Sequence, residues 1–150
     1  MSEIKIDVED VIDDRMKYDF EAKAQSFVVS THDMFPAEFI FSIGQGKKQI
    51  EKLLRKHNEP QKWIDIALKE LDNENMGGYT LKMFGNIFIY LPKYNDWNTK
   101  DRGTVAHEIF HAVDMLAEKM GQSLVKDAEE FYAYMIGYLT MEFYAKVSWK

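Results

Sequence analysis

His107 and His111 stand four residues apart in "GTVAHEIFHAVD", Gly103 to Asp114, with Glu108 between them. On a helix, residues at i and i+4 lie one above the other on the same face. Both imidazoles can therefore turn a ring nitrogen toward one metal ion. Glu108 is displaced about 100° around the helix, so it misses that ion yet can reach a water bound to it. Two ligands and a base on one rigid element are the physical content of H-E-x-x-H. The plainer alternative is two core histidines bonded to carbonyls or tyrosines. That alternative leaves the glutamate between them unexplained, in a chain with only four histidines.

Zinc used for catalysis takes three protein ligands and leaves one position open. The chain has no cysteine, so histidine and carboxylate must supply them. The longer pattern H-E-x-x-H-x-x-G-x-x-H fails here, because Asp114 and Ala117 occupy its glycine and final histidine positions. "KDAEEFYAYMIGY" offers Glu129 and Glu130 in the first turn of a following helix. Glu130 shares a face with Tyr134, Gly137 and Met141 and is flanked by Ala133, and small residues there permit close approach to a neighbouring helix. Glu129 shares a face with Ala133, Ile136 and Thr140. Either can instead be a favourable charge at a helix N-terminus, with Asp127 and Glu130 as a capping pair. Asp114 shares the histidine face; it can orient a histidine, serve as the third ligand, or form a surface ion pair. Tyr134 can donate to a ligand or a developing oxyanion, although most helix tyrosines simply pack.

The surrounding pattern predicts the elements that position these residues. A helix is expected within "VEDVIDDRMKYDFEAKA" and a strand at "QSFVVS", while "EFIFSI" reads equally as strand or helix. "KKQIEKLLRKHN" and "PQKWIDIALKELDN" are amphipathic helices, the first ended by Asn58 and the second opened by Pro60. Gly44-Gln45-Gly46 is an isolated turn rather than a phosphate loop. Tyr79 to Phe84 and Ile87 to Leu91 read as strands of a hairpin around Gly85-Asn86, with Pro92 ending the second. Asn98, Thr99 and Asp101 are candidate caps for the histidine helix. That helix is apolar on two sides, through Val105, Ile109, Ala112 and Leu116 and through Ala106, Phe110, Val113, Ala117 and Met120. Burial between layers follows. Gly121 stops it, Ser123 or Asp127 caps the next helix, and the short connection makes the two antiparallel.

At 150 residues and 46% hydrophobic content, one compact domain spanning 1–150 is expected. The fold class is α+β, helices packed on a small, mostly antiparallel sheet. A formal net charge of −6 disfavours nucleic acid, and "GKKQIEKLLRKH" reads as a solvated face. No apolar run is long enough for a bilayer, and the acidic start lacks the marks of a signal peptide. A soluble cytoplasmic protein is the expectation. Oligomeric state is not legible, and His32 and His57 default to the surface.

"HEIFH", followed on a second helix by "EFYAY", resembles the gluzincin branch of zinc metallopeptidases, over roughly Tyr79 to Tyr144. The size is similar to that of minimal zincin-like members, some of them phage- or prophage-encoded, including ImmA-like peptidases that act on repressors. The resemblance implies that His107, His111 and Glu130 bind one zinc ion, Glu130 being matched by the small Ala133 three places on. It implies Glu108 as the base acting on a zinc-bound water, and a peptide substrate extended along an edge strand. Ile87, Phe88, Ile89, Tyr90 and Leu91 are the expected edge. No histidine or arginine outside the motif is assigned as an oxyanion partner. Two other functions compete with a narrow-specificity zinc peptidase. One is an inactive zinc-stabilised protein-binding module, the other a metal-free helical interaction protein.

Overall fold

The protein is described by a computed structural model covering residues 20–121 and 128–150. Its strands are β1 (Gln25–Val29), β2 (Glu38–Ile43), β3 (Tyr79–Lys82) and β4 (Asn86–Leu91). Helices α1 (Lys47–Lys56) and α2 (Gln61–Glu70) lie between β2 and β3. Helices α3 (Thr99–Lys119) and α4 (Glu129–Lys146) follow β4. The four strands form one sheet in the order β1-β2-β4-β3. β1 pairs antiparallel with β2 and β3 antiparallel with β4, whereas β2 and β4 run parallel. A parallel pair needs a long crossover, and α1 and α2 lie within it. The described residues are thus a mixed α+β fold on a small, mostly antiparallel sheet, as the pattern predicts.

Both faces of the sheet are covered. Phe39, Phe41, Ile43, Ile87, Ile89 and Leu91 join α3 and α4 in one buried cluster. Ile40, Phe88 and Tyr90 join Ile50 and Leu54 of α1 and Ile64 and Ala67 of α2 in the other. Two-sided burial requires an unbroken apolar strand rather than an alternating one. This explains why "EFIFSI" carries no period-two signal, and it is a strand.

That burial also corrects the expected edge. Ile87, Phe88, Ile89, Tyr90 and Leu91 lie in β4, hydrogen-bonded to β2 on one side and β3 on the other. The open edges belong to β1 and β3. A hairpin signal shows that two strands are neighbours, but not which of them a distant strand will cover.

The hairpin turn is held from outside. Glu59, buried in the α1–α2 connection, accepts from the backbone N–H groups of Phe84 (3.0 Å) and Gly85 (3.1 Å) and from Asn86 Nδ2 (2.7 Å). His57, expected at the surface, is half-buried beside it at the end of α1. Burial pushes the His57 imidazole below its usual range, with Lys56 adding to the shift. Asn58 follows with φ +59°, ending α1 where expected.

The caps of α3 match the sequence. Asn98 Oδ1 accepts from the backbone N–H groups of Lys100 and Asp101, and Gly121 adopts φ +72° just beyond the helix. The helix is less enclosed than its composition suggests. Val105, Ile109, Ala112, Val113, Leu116 and Ala117 are buried, but Ala106 and Phe110 are exposed, because α4 and the sheet cover only part of the circumference. Ser123 and Asp127 lie outside the described residues. So does most of the expected N-terminal helix, although Glu21 and Ala22, at its predicted end, instead bridge to Asn95 and Trp149. No helix of the described residues is long and apolar enough to cross a membrane.

Candidate metal centre

β3 runs alongside α3 in the same direction. Near the start of β3, a Cβ built on Gly78 would stand 2.9 Å from both Glu108 Cγ and Thr104 Cγ2. Thr80 donates to Glu108 Oε2, Lys82 pairs with Glu118 at 3.0 Å, and Lys119 Nζ donates to the carbonyls of Met83 and Phe84. This contact depends on glycine, since any larger residue at position 78 would push the strand off the helix. Neither Gly78 nor Thr80 is singled out by the motif. The available signal was the Gly77-Gly78 pair just ahead of a strand, a mark of close backbone approach.

The two histidines project from the adjacent, exposed stripe of α3. Their Nε2 atoms stand 3.0 Å apart, with ring centroids 4.5 Å apart and the rings crossing at 78°. A zinc ion holds imidazole nitrogens at about 2.0–2.1 Å, which sets a near-tetrahedral pair about 3.3 Å apart. The two nitrogens therefore suit one shared ion with only a small adjustment.

Glu108 is buried, and its Oε2 is engaged by Thr80. No fully buried side-chain oxygen among the described residues lacks a partner. Oε1 accepts no hydrogen bond, so it reaches solvent. His107 and Glu108 line an open cleft of ≈ 440 Å³ together with Gly77, Gly78, Lys100, Gly103 and Thr104. Gly77 and Gly78, just ahead of β3, form its wall opposite α3.

On the other flank, α4 packs on α3 through Tyr132, whose hydroxyl donates to Asp114 Oδ1 at 2.8 Å. Asp114 is thus bound to a tyrosine of the neighbouring helix rather than to a histidine. The Tyr132 ring lies 6.3 Å from that of Phe110, which in turn lies 6.2 Å from that of His111. Burial, then the bond to Asp114, pushes the Tyr132 phenol up to about 12. Burial, then the charge of Glu70, raises Tyr79 to about 12 as well. Both phenols hold their protons more tightly folded than unfolded, where the pKa is about 10. The stability they lend is complete below about pH 10 and is lost as pH rises toward 12. Urea denaturation at stepped alkaline pH should show this decline, and Tyr132→Phe should flatten it.

Glu129 and Glu130 are both exposed in the first turn of α4. Among the described residues, no three histidine, aspartate or glutamate side chains are gathered to hold a metal. The packing argument for Glu130 is overturned. Its stripe continues through Tyr134 and Met141, 70% and 67% exposed, and a Cβ on Gly137 would meet nothing within 4 Å. That face is open to solvent, so Gly137 does not serve close approach to α3, and Tyr134 forms no bond within the cleft. The structure therefore brings together His107, His111 and Glu108, and adds Thr80 and Gly78. No protein-family model, curated protein or solved structure matches this chain.

Proposed function

We propose that the chain is a zinc-dependent peptidase of narrow specificity. His107 and His111 would hold the ion, with a carboxylate from the first turn of α4 as third ligand. The resemblance to gluzincins favours Glu130 in that role over Glu129. When bound, zinc would supply a Lewis acid and lower the pKa of a coordinated water to about 7. Glu108 is the base: Thr80 holds Oε2, leaving Oε1 to take a proton from water and return it to the leaving amine. An extended peptide would add to the open edge of β3, Tyr79–Lys82, beside the cleft.

The observation that carries this reading is the convergence of two histidine nitrogens on the exposed stripe of α3, with a fixed, solvent-reaching carboxylate beside them. The test is anomalous diffraction from crystals of protein never exposed to chelator, collected on both sides of the zinc edge. The expected result is a peak between His107, His111 and an α4 glutamate, with one coordination position open. A closed shell of four protein ligands would replace the peptidase reading with a zinc-stabilised binding module. The absence of a peak would end both.

A further inference from the structure

Helix α1 buries Ile50 and Leu54 against the sheet and turns a basic row to solvent. Lys48, Lys52 and Lys56 are exposed and recur at every fourth residue, about 6 Å apart along the axis and about 12 Å from first to last. At about 100° per residue, Lys52 lies directly opposite the midpoint of Ile50 and Leu54, so the row is centred on the outward face. Lys62 adds a charge at the start of α2, where it lies over the Trp63 ring at 5.1 Å. Residues 47–62 carry six basic and two acidic side chains in a chain of net charge −6, so the remainder stands at −10.

Two features separate this row from an ordinary solvated face. The first is that its cations are unpaired, whereas exposed helix faces commonly interleave the two signs. Lys47 pairs with Asp72 and Arg55 with Glu51. Lys48, Lys52 and Lys56 form no ion pair among the described residues, and like charges four apart on a helix repel. The second is position. α1 has no acidic residue in its first turn, where Lys47 and Lys48 stand instead. The helix dipole favours anions there and disfavours cations. Asp72 offsets Lys47, and among the described residues nothing offsets Lys48. The row therefore works against the local stability of α1, and an anion arriving from outside would relieve it.

The length of the row indicates which anion. A polynucleotide would run past both ends onto the acidic remainder, and at physiological salt charges are screened only beyond about 8 Å. A short acidic segment avoids that repulsion. On a partner helix, carboxylates at i, i+4 and i+8 repeat the same step of about 6 Å. We infer that the outward face of α1 docks an acidic helical segment of a partner protein, three such carboxylates meeting Lys48, Lys52 and Lys56. The inference is independent of the metal reading, because α1 and the histidine helix α3 cover opposite faces of the sheet.

The test is titration of the full ¹⁵N-labelled chain at low salt, read by backbone amide shifts, with three probes. The first is a blocked alanine–glutamine helix with three glutamates at every fourth position. The second is an isomer with the same glutamates at every fifth position, which spreads them around the helix. The third is a twelve-nucleotide oligothymidylate. The first probe should shift the amides of Lys47–Lys56 saturably and leave those of α3 unmoved, and the isomer should bind several-fold more weakly. Lys52→Gln should weaken the first probe by up to about five-fold, the scale of one exposed ion pair, and Lys52→Glu should weaken it further. Position 52 is exposed, so both variants should keep the parent spectrum outside α1. No saturable shift on α1, equal binding of the isomer, or undiminished binding by Lys52→Glu would each overturn the docking surface. Tighter binding of the oligothymidylate than of the first probe would overturn it in favour of nucleic acid.

Discussion

Glu108→Gln is expected to lower peptide hydrolysis by about 10²–10⁴-fold, the usual contribution of a positioned acid–base group, while leaving zinc per chain unchanged. The amide is nearly isosteric with the carboxylate and can still accept from Thr80 through its carbonyl oxygen. It cannot take a proton from water. Metal retention follows from position, since Glu108 lies between the strand and α3 whereas the two histidines meet on the exposed stripe. His111→Ala makes the opposite prediction, removing one of the two converging nitrogens and losing both metal and hydrolysis. Measuring zinc by elemental analysis beside turnover of a peptide library separates the two roles. Loss of metal in Glu108→Gln would show that the glutamate is a ligand and that the assigned roles are wrong.

The histidine pair was legible because its chemistry is local. A spacing of four on a helix fixes mutual position wherever that helix packs, and the observed Nε2 separation of 3.0 Å is a consequence of that spacing. The caps at Asn98 and Gly121 were legible for the same reason. What failed was non-local. The place of β4 inside the sheet depends on pairing with β2, more than forty residues earlier in register: Phe39 lies opposite Ile87 and Ile43 opposite Leu91. No hairpin signal contains that information. Gly137 misled in a related way. A small residue on a helix face permits close approach, but only the packing of α4 decides whether a neighbour uses it, and α4 turns that face outward. Thr80 shows the converse. A threonine in a short strand has no distinguishing pattern until β3 is laid along α3 and its hydroxyl meets Glu108.

Phe143→Ala is expected to cost about 3–5 kcal/mol, the range for truncating a fully buried aromatic. That is a large share of the roughly 5–15 kcal/mol that holds a domain folded. Phe143 is 0% exposed, and its ring meets Phe41 of β2 at 5.5 Å, Phe27 of β1 at 6.0 Å and Tyr94 at 5.2 Å. The cavity left behind cannot close by a local shift, because its walls belong to two strands, the loop before α3, and α4. Tyr94 is itself tied to Asp96 and Tyr144 through its hydroxyl, at 2.7 and 2.9 Å. The neighbours are therefore held in place rather than free to collapse inward, which sets the expectation toward the upper end of the range. Met141→Ala provides the control on the same helix: it is exposed, and a change within about 0.5 kcal/mol is expected. Urea denaturation of both variants decides the matter. A loss below about 1 kcal/mol for Phe143→Ala would mean that α4 is not anchored to the sheet as described.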